Sequence, residues 1–171
     1  MQFTTEQVDS LREGAAIIDA DYYAWLVAQA HTLRRSRPEF LDWENLAEEL
    51  EGTARHEERA LESYLVVLLS HLLKYRYQAS KVSGSWEASI ENSRERVARL
   101  LHRSPSLKSK LEEIIAEAYP LARREAGAEM GLRKRDWERR LPKSCEWTLE
   151  TILDANFWPI PEPEPTVLKK P

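Results

Sequence analysis

A chain of 171 residues, 42% hydrophobic and 32% charged, is long enough to bury a core and polar enough outside to stay in water. No run approaches the ~18 apolar residues that a membrane span needs, and the N-terminus lacks a basic-then-apolar signal pattern, so the expected location is the cytoplasm with no membrane partner. The single cysteine, Cys145, excludes an intrachain disulfide and a multi-cysteine zinc site, and the net charge of -4 divides into -8 over residues 1–70, +7 over 71–143 and -3 over 144–171.

Residues 1–18 hold a short helical pattern from Thr5 to Glu13, ended by Gly14, with too few large apolar groups to dock firmly; the expectation is a loosely held lead. Asp19 or Asp21 is placed to cap a first helix that runs to about Arg35 with Tyr22, Trp25, Leu26 and Leu33 on one side. Pro38 disfavours helix at the residue before it and so separates this helix from the next.

The longest helical pattern follows, from Asp42 to Gln78. Leu46, Leu50, Ala54, Leu61, Leu65, Leu68 and Leu72 recur three or four apart with one lapse, which predicts a continuous apolar face. Asp42 is its expected N-cap, Leu41 and Leu46 have the spacing of a hydrophobic staple, and Lys74 and Arg76 put cations near its end. From Tyr64 to Leu73 the sequence is apolar nearly all round, so this half is expected to be covered on several sides. An uninterrupted helix of this length would span roughly 54 Å at ~1.5 Å per residue, which predicts a bend near Gly52 and Thr53.

Ser85 is the expected cap of a third helix, about 86–103, with Trp86, Ile90, Val97 and Leu101 on one stripe and Arg96, Arg99 and Arg103 on another. After the Ser104-Pro105-Ser106 turn, a fourth helix from about Leu107 to Met130 turns Leu111, Ile114, Ala118, Leu121 and Ala122 inward, with a kink expected at Pro120 and a stop at Gly131. A basic segment runs from Arg133 to Arg140. Thr148 can cap a short helix, 149–154, whose Leu149, Ile152 and Leu153 are expected to be pinned together with Trp147, Phe157 and Trp158. The proline-rich residues 159–171 read as an extended, disordered tail. Strand signals and repeats are lacking, so the predicted fold class is all-α: one domain over 19–158, an antiparallel bundle of four main helices with a short C-terminal helix.

Five strings in this order carry a resemblance: Asp21-Tyr22-Tyr23-Ala24-Trp25, Asp42-Trp43-Glu44-Asn45-Leu46-Ala47-Glu48-Glu49, His71-Leu72-Leu73-Lys74, Ser104-Pro105-Ser106-Leu107 and Thr148-Leu149-Glu150-Thr151-Ile152-Leu153. Together they resemble the bacterial family catalogued as domain of unknown function number 29, over roughly residues 19–159. The resemblance implies a helical bacterial domain with no established activity, and it brings no catalytic residue with it.

For catalytic chemistry the chain offers little. None of the four histidines, His31, His56, His71 and His102, has a glutamate three residues before it, and no two are three or four apart, so no one-helix metal chelate is expected and no cofactor is implied. His71 lies in an apolar run, where burial disfavours the imidazolium; it is either a hydrogen-bonded structural residue or a base tuned for proton transfer, with Glu48 and Glu49 as its acidic companions. Those glutamates have a plainer role as a solvated acidic face, and Asn45 as part of local helix capping. Cys145 beside Glu146 is not expected to be a reactive thiolate. Arg96, Arg99 and Arg103, with Arg133, Lys134 and Arg135, are the candidate nucleic-acid contacts, although no recognisable reader motif accompanies them.

Three functional readings remain. The first is a non-catalytic protein-interaction module acting through a homodimer or a protein partner, suggested by six tryptophans and six tyrosines, more aromatic surface than four helices need to bury. The second is a nucleic-acid-binding regulator using the basic second half. The third is a hydrolase or nuclease around His71.

Overall fold

Three helix starts in this chain are set by short polar side chains that accept from backbone N–H groups lacking helical partners. The computed structural model describes residues 17–163; the expected helix from Thr5 to Glu13 and the end of the tail lie outside them. Every regular element among the described residues is helical. After a helical turn at 17–20 come α1 (Tyr22–Ser36), α2 (Trp43–Tyr77), α3 (Gly84–Arg103), α4 (Leu111–Glu129), α5 (Lys134–Arg140) and α6 (Leu149–Leu153), with 3₁₀ turns at Ala79–Lys81 and Pro105–Lys110.

Three of the expected caps form. Asp21 accepts from Ala24 N–H at 2.9 Å, Asp42 accepts from the backbone and side-chain N–H groups of Asn45, and Thr148 Oγ1 accepts from Thr151 N–H at 3.2 Å. Ser85 does not cap α3: the helix starts at Gly84, and the Ser83 carbonyl takes the first bonds, from Trp86 and Glu87. Gly131 closes α4 with φ +72, as Leu132 N–H reaches back to Gly127 O and Gly131 N–H to Ala128 O. This paired closure satisfies two terminal carbonyls and requires the left-handed backbone that glycine adopts without cost.

α2 is helical throughout, Gly52 and Thr53 included. The 107–110 turn, expected as the start of α4, is 3₁₀ instead, with Pro105 in its first turn. α4 continues through Pro120, which lies on the exposed side, where water can take up the carbonyl that loses its donor. α5 is a helix where the sequence marks only a basic segment.

Within the described residues the chain divides into two compact units, 17–61 with 98–111 and 62–97 with 112–163. In the first, the buried apolar residues are Leu26 and Ala30 of α1, Ala47, Ala54 and Leu61 of α2, Leu100 and Leu101 of α3, and Leu107 and Leu111. Leu46, expected on the buried face, is 44% exposed, and Leu41 is exposed beside it in sequence. The buried position at this end of α2 is the next residue, Ala47.

In the second unit Leu65, Leu68, Leu69, Leu72 and Leu73 of α2 are fully buried, each worth about 1.5–3 kcal/mol before the entropy of ordering it. Ile90, Val97, Ile114, Ala118, Ala122, Ala126, Leu141 and Ile152 are buried in the same unit. Polar groups fasten the chain ends to this core. Buried Arg94 donates to the carbonyls of Ile152 at 2.9 Å and Phe157 at 2.7 Å, and lies over the Trp158 ring. Arg123 spans the end of α5 by donating to the Glu138 and Leu141 carbonyls, while its guanidinium stacks on Trp137. Residues 159–163 begin the expected tail, and two of them are held: Pro159 is buried, while Glu162 N–H bonds Arg76 O at 2.8 Å and the Glu162 carboxylate pairs with the Arg76 guanidinium at 2.7 Å.

Candidate functional site

In the first unit, α1 and α2 bring tyrosines and glutamates together with cations from α3 and the 105–110 turn. The Tyr23 hydroxyl and the Lys110 ammonium both donate to Glu58 Oε1, and Arg103 pairs with Glu57 while its guanidinium lies 5.3 Å from the centre of the Tyr22 ring, a cation–π contact. Burial, and then the bond to Glu58, raise the Tyr23 pKa. Burial alone would raise that of Glu58, but the bonds from Lys110 and Tyr23 outweigh it and the net direction is down. The bond to Glu58 raises that of Lys110. Each group is therefore held more firmly in its neutral-pH state, whereas proton transfer needs a pKa near the working pH. The cluster is a clamp.

The same unit carries three exposed large apolar side chains close together in sequence. Phe40 is 96% exposed in the connection before α2, followed in sequence by exposed Leu41 and Leu46. Glu39, Asp42, Glu44, Glu48 and Glu49 are all exposed along this stretch, which contains no lysine or arginine from 39 to 49. Sequence reasoning passed over Phe40, although two large apolar residues after Pro38 in a connection that no helix claims were the available signal.

In the second unit, His71 is half-buried on α2. Its Nδ1 lies 2.9 Å from the Val67 carbonyl, which can only accept, so Nδ1 carries the proton and Nε2 is left unprotonated. Burial lowers its pKa, only partly opposed by that hydrogen bond. Glu48 and Glu49 belong to the first unit, 23 and 22 residues earlier in the chain. Lys74, one turn on, is 2% exposed, pairs with Glu129 and lies 4.4 Å from the centre of the Trp86 ring. Burial pushes the Cys145 thiol up, away from the reactive thiolate. Among the described residues no three of His, Cys, Asp and Glu come together as metal donors, and no helix is long and apolar enough to cross a membrane.

The basic candidates are divided between the two units. Arg99 and Arg103 fall in the first unit, and both are engaged. Arg96 in the second unit lies over the Tyr64 ring at 5.5 Å. Arg133, Lys134 and Arg135 are exposed together at the start of α5, where Lys134 and Arg135 have only loose 3.8 Å pairings with Glu138 and Asp136.

Two cavities flank the partly exposed Val67. One, of about 310 Å³, is lined by Glu62, Ser63, Val66, Val67, Leu121 and Glu125. The other, of about 240 Å³, is lined by Tyr64, Val67, Ser89, Asn92, Ser93 and Arg96. The first is apolar with two carboxylates, and the second is polar with one guanidinium.

A family model described as "Domain of unknown function DUF29" matches residues 17–158. The chain belongs to this family. No curated protein and no solved structure matches it. Two of the strings that carry the DUF29 resemblance meet in the first unit: Asp21, from the first, accepts from Ser106 N–H at 2.6 Å and Ser106 Oγ at 2.9 Å, from the fourth. The Asp42–Glu49 string, by contrast, is mostly at the surface, with Ala47 as its buried residue.

Proposed function

We propose that this DUF29 chain is a non-catalytic protein-interaction module of the bacterial cytoplasm, which takes a basic, apolar-faced segment of a partner protein on the Phe40–Leu41–Leu46 patch. The observation that carries this reading is the near-complete exposure of Phe40 within a stretch of five acids and no bases. A large side chain fully in water gains by being covered, and the surrounding carboxylates favour an occupant of opposite charge. The fixed charge states of the Tyr23–Glu58–Lys110 cluster also support a role other than proton transfer. The reading includes a single domain over 19–158, built as an antiparallel bundle of four main helices; its support is the short connections between helices and the contribution of α2 and α3 to both units. Replacing Phe40, Leu41 and Leu46 with serine tests the patch. The partner should be lost while the unfolding midpoint holds, and retention of the partner would refute the reading.

Nucleic-acid binding is the second reading, favoured by the exposed Arg133-Lys134-Arg135 run. It predicts an affinity that falls steeply with salt, with each charge removed reducing the salt slope by about 1. Absent or salt-insensitive gel shifts would remove it.

A further inference from the structure

Beyond that reading, we propose that the cleft between α2 and α3 in the second unit binds a small oxyanion, a phosphate ester or a carboxylate, through Arg96, Asn92 and Ser93. Ser89, Asn92, Ser93 and Arg96 stand at positions i, i+3, i+4 and i+7 of α3, so helical geometry puts them on one face, and all four line the 240 Å³ cavity with Tyr64 and Val67 of α2.

Three observations point to an anion. Arg96 has no carboxylate partner among the described residues, and no carboxylate lines the cavity. Its guanidinium is held over the Tyr64 ring, which fixes the side chain while leaving its N–H edge to donate. Ser93 is only 5% exposed and lines the same cavity, which puts a hydroxyl-bearing residue on the wall that carries Arg96. A hydroxyl and a guanidinium on one cavity wall can donate to the same oxyanion. Ser89 differs, since its proton is committed to the Ser85 carbonyl at 2.9 Å. The donors are thus the Arg96 fork, the Asn92 amide and the Ser93 hydroxyl.

Size and neighbours narrow the class. At about 240 Å³ the cleft is smaller than the ~300–1,000 Å³ of sites for drug-sized ligands, so it suits one charged head with a short remainder. Val67 offers that remainder an apolar contact. The cavity on the other side of Val67, with Glu62 and Glu125, has the wrong sign for the same ligand.

The test is calorimetric titration of the full chain with inorganic phosphate, phenyl phosphate and isobutyrate, each against sodium chloride at matched ionic strength. At least one oxyanion is expected to bind saturably above the chloride control, and which one does so separates a phosphate from a carboxylate source. Arg96→Gln should weaken that binding by about tenfold or more, Arg96→Lys by less, and Arg135→Gln not at all. Ser93→Ala should weaken it while leaving the unfolding midpoint unchanged. No saturable binding by any of the three, equal affinity in Arg96→Gln, or an equal loss in Arg135→Gln would overturn the proposal.

Discussion

Asp21 and Ser106, 85 residues apart in the chain, are joined through one carboxylate: Oδ1 accepts from Ala24 N–H and Ser106 Oγ, and Oδ2 accepts from Ser106 N–H. A single side chain thus caps α1 and anchors the 105–110 turn. Asp21→Ala should lower stability by about 2–4 kcal/mol, the sum of a lost cap and lost bonds to a charged acceptor. Asp21→Asn, which still caps, should cost less. Urea unfolding of the two variants checks the order; equal midpoints for wild type and Asp21→Ala would disprove it.

Glu58 makes stability depend on pH. Its folded pKa lies below the usual carboxylate value, because the bonds from Lys110 and Tyr23 outweigh burial. The native state therefore binds that proton less readily than the unfolded chain, and the stabilisation is present above the unfolded value and lost as pH falls through the folded one. Glu58→Gln should be less stable than wild type at pH 7, and the gap should close on acidification below pH 4.5. A gap independent of pH would contradict this.

Arg94 holds the C-terminal segment by its bonds to the carbonyls of Ile152 and Phe157. Arg94→Met keeps much of the volume but leaves those acceptors without a donor, at an expected cost of about 2–4 kcal/mol. Limited proteolysis should then cut after α6 sooner than in wild type, while Arg124→Met, an exposed residue on α4, should leave the rate unchanged.

Two glycine-to-alanine substitutions should act in opposite directions. A Cβ on Gly127 would lie 2.4 Å from Trp137 Cγ, so Gly127→Ala should push α5 from α4 at a cost of about 1–3 kcal/mol. On Gly52 the nearest atom to a Cβ would be 3.8 Å away, at the flexible end of Arg55, so Gly52→Ala should stabilise α2 by about 1 kcal/mol. Thermal unfolding of both variants gives the signs directly.

What could be read from sequence was local. The caps at Asp21, Asp42 and Thr148, the stop at Gly131 and the buried Leu65–Leu73 run all depend on neighbours within a few residues, as did the all-helical class. The reading failed where remote partners decide. Lys74 looked like a terminal cation for the helix dipole, but Glu129, 55 residues on, and Trp86 make its burial tolerable. Arg94 has no local signal because its acceptors are carbonyls 58 and 63 residues away. α5 was missed because Trp137 is the one large apolar side chain in its seven residues, too few for a periodicity to show. Leu46 kept the apolar spacing without the cover, and the candidate patch lies at that end of α2.

The central claim is tested most directly by placing a photo-activatable crosslinker at position 40 of the full chain in its native cells and mapping the crosslinked peptide. The expected result is one dominant protein adduct through a segment rich in Lys or Arg, on another protein or on a second copy of this chain, lost when Glu44 and Glu48 are replaced by lysine. No adduct, an adduct to nucleic acid, or a protein adduct indifferent to that charge reversal would contradict the account.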